Sequence, residues 1–165
     1  MLFRSVTHEG SIVTEGDRAH GILAQSAGGR SGTATSDDGS TSYVGLGGAV
    51  SVTLRGGGID ARGMLADGIV AQSRGDAGHG DITVTIEDAL VRGGQGAAAG
   101  VRLLDGRDNL VDNQAGWITT QSGIEGAAIV ATGGNDQVRN AGLVTGSVDL
   151  GAGRNGFDNL AGGRL

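Results

Sequence analysis

The chain has 165 residues, 35 of them Gly and none Pro or Cys, and a formal net charge of −6. Without Cys there is no disulfide, no thiol nucleophile and no Cys-ligated zinc; without Pro and a three-residue period there is no collagen triple helix. All 12 basic residues are Arg, mixed among 18 acids, and Phe3, Tyr43, Trp117 and Phe157 are the only aromatics, so the basic patches and stacking platforms of a nucleic-acid interface are missing.

Taken in chain order, Met1-Leu2-Phe3-Arg4-Ser5 is too short for a signal peptide. It reads as adapter-derived sequence, so residues 1–5 are set aside and a single domain is sought in residues 6–165. No run of about 18 apolar residues follows, so nothing is expected to span a membrane as a helix.

The next segment repeats. Ile12–Gly28 (IVTEGDRAHGILAQSAG) meets Ile59–Gly75 (IDARGMLADGIVAQSRG) at a shift of 47, with nine of 17 positions identical and no gap. Weaker copies follow at Ala98-Ala99-Gly100-Val101 and at Gly126–Ala131. Within the copies Ile22, Ala24, Ile69, Ala71, Val101, Leu103, Ile129 and Ala131 alternate with Leu23, Gln25, Val70, Gln72, Arg102, Val130 and Thr132. Period two is the mark of a strand with two faces. The first set is assigned to a narrow interior and the second to an outer surface. Strands of about four to six residues, each ended by a Gly turn, are expected. Gly at this density costs a helix about 1 kcal/mol at each occurrence. Residues 27–48 (AGGRSGTATSDDGSTSYVGLGG) break the pattern and read as a polar loop or a degenerate coil. Asp37-Asp38 and Tyr43 are its only notable chemistry.

The C-terminal half carries a second unit. Asp108-Asn109-Leu110-Val111-Asp112-Asn113 parallels Asn135-Asp136-Gln137-Val138-Arg139-Asn140, and Asn155-Gly156-Phe157-Asp158-Asn159 is a third copy. Stacking would bring Asn113, Asn140 and Asn159 into an amide column, with each Asn at home in a left-handed turn. That is a structural device and not a ligand site. The shifts group around a unit of roughly 20–30 residues, too short for a propeller blade. The fold class predicted is all-β: a right-handed parallel β-helix (β-solenoid) of roughly 20–30 residues per coil.

These residues also carry a resemblance. Gly21-Ile22-Leu23-Ala24-Gln25-Ser26-Ala27-Gly28-Gly29, repeated from Gly68 to Gly75, resembles the Gly-Ile-x-Ala-Gln-Ser-x-Gly-Gly element of bacterial autotransporter passenger regions. Val148–Asn159 (VDLGAGRNGFDN) is similar to another passenger element. The resemblance implies a pectin-lyase-like β-helix, exported through a Gram-negative outer membrane and displayed at the cell surface. It implies as partners a downstream outer-membrane β-barrel translocator and components of host or neighbouring-cell surfaces. The missing Cys fits such export.

Asp67, Asp81, Glu87, Asp88, Asp105, Asp108 and Asp112 are the carboxylates a polysaccharide-acting enzyme would draw on. Such an enzyme needs two of them at fixed separation in a cleft; Asp67, in the slot of His20 before the Gly-Ile, reads instead as a turn cap. His8, His20 and His79 lack transition-metal spacing. Gly133-Gly134-Asn135-Asp136-Gln137-Val138 and Gly151–Phe157 approach a Ca²⁺-binding β-roll repeat, but Arg154 and Asn155 depart from it. A phosphate loop of the GxxxxGK[ST] type needs a Lys, and no GxSxG elbow occurs. No catalytic, cofactor-binding or metal residue is assigned and no cofactor is expected. The expected function is a non-catalytic, structural or adhesive rod of an autotransporter-like surface protein. The alternatives are a pectin-lyase-like enzyme fragment and a Ca²⁺-stabilised secreted β-roll.

Overall fold

The computed structural model describes residues 3–29, 32–36 and 39–165. Its strands are β1 (Phe3–Thr14), β2 (Ile22–Ala27), β3 (Gly32–Ser36), β4 (Gly39–Tyr43), β5 (Ala49–Ala61), β6 (Ile69–Arg74), β7 (Ile82–Ile86) and β8 (Leu90–Gly93). They continue with β9 (Ala99–Asp105), β10 (Asp108–Asn113), β11 (Trp117–Thr120), β12 (Ala127–Ala131), β13 (Asn135–Asn140), β14 (Leu143–Val144), β15 (Ser147–Asp149) and β16 (Gly156–Asn159). A single 3-10 turn, Gly123–Glu125, stands before β12. No helix among the described residues is long and apolar enough to cross a membrane.

Two parallel sheets share one core. The larger has nine strands in the order β14-β11-β8-β5-β7-β10-β13-β16, with β1 also on β5; the smaller is β15-β12-β9-β6-β2. The antiparallel pair β3–β4 lies apart, within the polar stretch 27–48. Asp37 and Asp38 lie outside the described residues, as does the Tyr43 side chain.

The predicted right-handed β-helix of 20–30-residue coils is corrected by this arrangement. The fold is all-β and parallel, but it is two sheets, the larger curled into a half-barrel. The strand that decides this is β5. Its Val50–Leu54 stretch pairs with β7 and its Gly58–Asp60 stretch with β8, in one run of 13 residues. Strands that a coil would put on separate faces are therefore one sheet. The physical reason lies in the glycines. The repeat reading took them as turns that end strands, whereas Gly10 (φ 112°) and Gly57 (φ 77°) are paired inside β1 and β5, beside a register shift at His8/Glu9. A side chain on Gly57 would collide with the Gly10 carbonyl. Glycine at such a bulge bends the sheet without breaking it, so β1 and β5 exceed the expected four to six residues.

The inward faces match the alternation. Ile22, Ala24, Ile69, Ala71, Val101, Leu103, Ile129 and Ala131 are all buried. They face Val52, Leu54, Ile59, Val84, Ile86, Val91, Val111 and Ile118 of the large sheet in one cluster. Ile22, Ile69, Val101 and Ile129 stand in register across β2, β6, β9 and β12. Val70, assigned outward, is buried as well; it lies between Leu23 and Arg102 in the register. The Gly before each Ile marks where the two sheets touch. A Cβ on Gly68 would lie 2.6 Å from the Gly100 carbonyl oxygen and 2.8 Å from Val91 Cγ1.

Candidate functional site

The polar side chains of the repeats lie mostly between successive strands. In the Gly-Ile-x-Ala-Gln-Ser strands, Gln25 Nε2 donates to Gln72 Oε1, and Gln72 Nε2 donates to Asp105 Oδ2 at 3.0 Å. Ser26 Oγ accepts from Gly48 N at 2.9 Å, and Ser73 Oγ donates to Gly48 O and accepts from Gly80 N, each at 2.8 Å. Both serines are wholly buried. The motif thus reads in physical terms: Ile and Ala fill the core, Gln ladders outside, and Ser ties the strand end to the next turn.

The Asn column forms as the repeats predict. Asn113 Nδ2 donates to Asn140 Oδ1 and Asn140 Nδ2 to Asn159 Oδ1, each at 2.8 Å. The expected left-handed backbone is not used, however. The non-Gly residues at positive φ are Arg18, Leu65 and Asp105 among those described, and the three Asn close β10, β13 and β16 in extended backbone. They satisfy turn carbonyls from the strand end: Asn113 reaches Gly116 O and Asn159 reaches Gly163 O.

Asp67 is a buried ion-pair centre. Arg102 holds it through Nε (2.9 Å) and Nη2 (2.9 Å), and Ala99 N donates to it at 2.6 Å. His20 Nδ1 in turn accepts from Asp67 N at 3.0 Å. The local turn cap expected from the sequence is corrected here: the backbone N–H that the Asp67 carboxylate takes is that of Ala99, 32 residues on at the start of β9. Asp60, which the sequence reading passed over, is a second such centre. It takes Arg92 Nε at 2.8 Å, Arg62 Nε at 2.7 Å and Gln121 Nε2 at 2.8 Å. The Arg92 hydrogen bond, seconded by Arg62, holds its carboxyl below the ordinary range against the opposing effect of burial. Only Arg62, two residues on, was a local signal; Arg92 and Gln121 arrive from 32 and 61 residues away.

The carboxylates sought for catalysis are dispersed, with one exception. Glu87 lies 4.0 Å from Arg55, Asp112 accepts from Gln114, and Asp88 is exposed. Asp81 and Asp108 do meet, through Arg107, which itself lines a groove of about 670 Å³ running past the turns at 77–79, 106–107, 133–135 and 152–153; neither carboxylate lines that groove. Arg107 sits between them, at 2.9 Å from Asp81 and 3.1 Å from Asp108. Asn135 Nδ2 donates to Asp108 at 2.8 Å, and this bond, with Arg107, keeps the Asp108 carboxyl below its ordinary range. A general acid needs the opposite shift. Trp117 is 44% exposed on β11, with β8 and β5 between it and β7. It is not a platform for that groove; its Nε1 donates to Thr145 Oγ1.

No family model, curated protein or solved structure matches the chain.

The histidines are not brought together. His8 is in β1, His20 is under Asp67, and His79 lines the groove. No group of three or more His, Asp or Glu able to hold a metal occurs among the described residues. In the Gly133–Val138 stretch Asn135 Oδ1 accepts from Arg154 N and Asp136 Oδ1 from Asn109 Nδ2, while Asp136 Oδ2 is buried without a hydrogen-bond partner.

Proposed function

We propose that the chain is a structural, non-catalytic segment of an autotransporter-like surface protein, serving to display and space other parts of that protein. The observation that carries this reading is the use made of the repeats' polar residues. Gln25, Gln72, Ser26, Ser73, Asn113 and Asn140, which recur in the repeats, and Asp67, in the slot of His20, each hydrogen-bond to a neighbouring strand or turn. A repeat whose chemistry is committed to its own neighbours gains stability from stacking and leaves no convergent reactive group. The resemblance of Gly21–Gly29 and Gly68–Gly75 to passenger elements supports the surface assignment. Leu23, 61% exposed, and the Gln column give the small sheet an outward face for weak contact with host or neighbouring-cell surfaces.

Sequencing the flanking coding region tests the reading. A downstream segment of alternating strands of about ten residues with aromatic girdles is expected; a downstream region without them overturns the autotransporter assignment. The Ca²⁺-stabilised reading is tested separately. Circular dichroism and the melting point are expected to be unchanged by chelator, and a drop on chelation would install a structural ion instead.

A further inference from the structure

One buried group breaks the chemistry of its own column. Asn109, Asp136 and Asn155 occupy the start of each Asn unit, as Asn113, Asn140 and Asn159 occupy the end. Asn109 Nδ2 donates to Asp136 Oδ1 at 2.9 Å, and Asn155 Oδ1 accepts from Asp136 N at 2.9 Å. Asp136 is 1% exposed, and its Oδ2 is buried without a hydrogen-bond partner. Its two neighbours show what belongs in that slot. Asn109 Nδ2 donates to the carbonyl four residues back, Asp105 O, at 3.1 Å; Asn155 Nδ2 does the same to Gly151 O at 3.1 Å. The slot calls for a donor, and a carboxylate has none.

We propose that Asp136 is held in the folded chain as the neutral acid, its Oδ2–H donating to the Thr132 carbonyl at the same four-residue offset, so that β16 and its turn loosen when this proton is lost. The surroundings offer no charge to take the proton's place. On β10 and its turn, Asp108 and Arg107 pair with each other and with Asp81. Asp105 is engaged by Gln72, Asp149 by Gly151 N, and Asp158 by Gln137. Arg139 and Arg154 are exposed, and no ion pair joins Asp136 to any described residue. Burial accordingly pushes the Asp136 carboxyl above its ordinary 3.8, only partly offset by the Asn109 hydrogen bond. The sign follows from linkage. An acid with a raised folded-state value contributes stability fully below about 3.8, and that contribution is lost as pH rises through the folded value. The place where it is lost is the docking of the last strand, because Asn155, the residue before β16, is anchored to Asp136 N.

The test is a carboxyl-carbon NMR titration of Asp136 in the full chain, with thermal unfolding of wild type and Asp136→Asn from pH 4 to 9. Asp136 is expected to titrate above the range of the exposed aspartates. Asp136→Asn should melt about 2–8 °C higher at the alkaline end, with the gap closing as pH falls, and amide exchange at 156–159 should be several-fold slower in the variant at pH 8. Titration of Asp136 at or below 3.8, or a melting gap that does not change with pH, would overturn the proposal. If Asp136→Asn does not fold, the wild-type titration alone decides.

Discussion

The two kinds of repeat hold the stack together by opposite means. In β2, β6 and β9 the interior is aliphatic; Gln25 and Gln72 form an outer column, Ser26 and Ser73 stand at the strand ends, and β9 puts Leu104 and Asp105 in those two slots. In β10 and β13 polarity is buried at both ends of each unit, as Asn109-x-Val111-x-Asn113 and Asp136-x-Val138-x-Asn140, and Asn155-x-Phe157-x-Asn159 continues the two columns at the exposed last strand. The first kind draws on apolar area removed from water, which is non-directional and tolerates Ile, Val or Leu in one column. The second draws on amides that both donate and accept, so each rung fixes its neighbours on two sides and an error at one rung orphans the next.

The strongest way to break the aliphatic region is through its one buried charge. Asp67→Ala takes two hydrogen bonds from the Arg102 guanidinium, leaving it the Ala97 carbonyl, and strips the Ala99 N–H of its acceptor. It is expected to cost about 3–5 kcal/mol in urea-induced unfolding, the range for breaking one side of a buried pair. A cost near zero would show that Arg102 escapes to water along its partly exposed stem.

The amide region should break next most severely. Asn140→Ala removes the acceptor of Asn113 Nδ2 and the donor to Asn159 Oδ1 and Arg164 O. About 2–4 kcal/mol is expected, as three hydrogen bonds worth about 1 kcal/mol each are lost together. Gly68→Ala follows at about 1–3 kcal/mol, the usual range for overpacking, since its Cβ meets the Gly100 carbonyl and the fully buried Val91 side chain, neither of which has room to give. If Gly68→Ala costs more than Asn140→Ala, the contact between the sheets outweighs the ladder.

These residues also mark what could be read from the sequence. The 47-residue identity between Ile12–Gly28 and Ile59–Gly75 is the register of β1 on β5 and β2 on β6, because stacked parallel strands repeat what their neighbour needs. The Asn column was legible for the same reason. The curl of the large sheet was not. Gly at 10 and 57 serves a turn or a bent strand equally well, and the neighbours choose between them. The Asp60 cluster was hidden because Arg92 and Gln121 carry no local sign of their target. Val70 was misassigned because strict alternation ignores cover from neighbouring side chains.

The smallest effect sharpens the comparison. Gln72 lies in the middle of the outer column, accepting from Gln25 and donating to Asp105. If that ladder held strands as the Asn column does, Gln72→Ala would approach the cost of Asn140→Ala. Gln25 is exposed and Gln72 only half-buried, so water replaces each lost partner. The core residues on either side, Ala71 and Ser73, are fully buried and untouched by the change. Exposed polar substitutions of this kind stay within about 0.5 kcal/mol. Chemical unfolding of Gln72→Ala should therefore be nearly superimposable on wild type. A loss above about 1 kcal/mol would mean that the outer column carries stacking energy, and that the two regions differ in composition but not in mechanism.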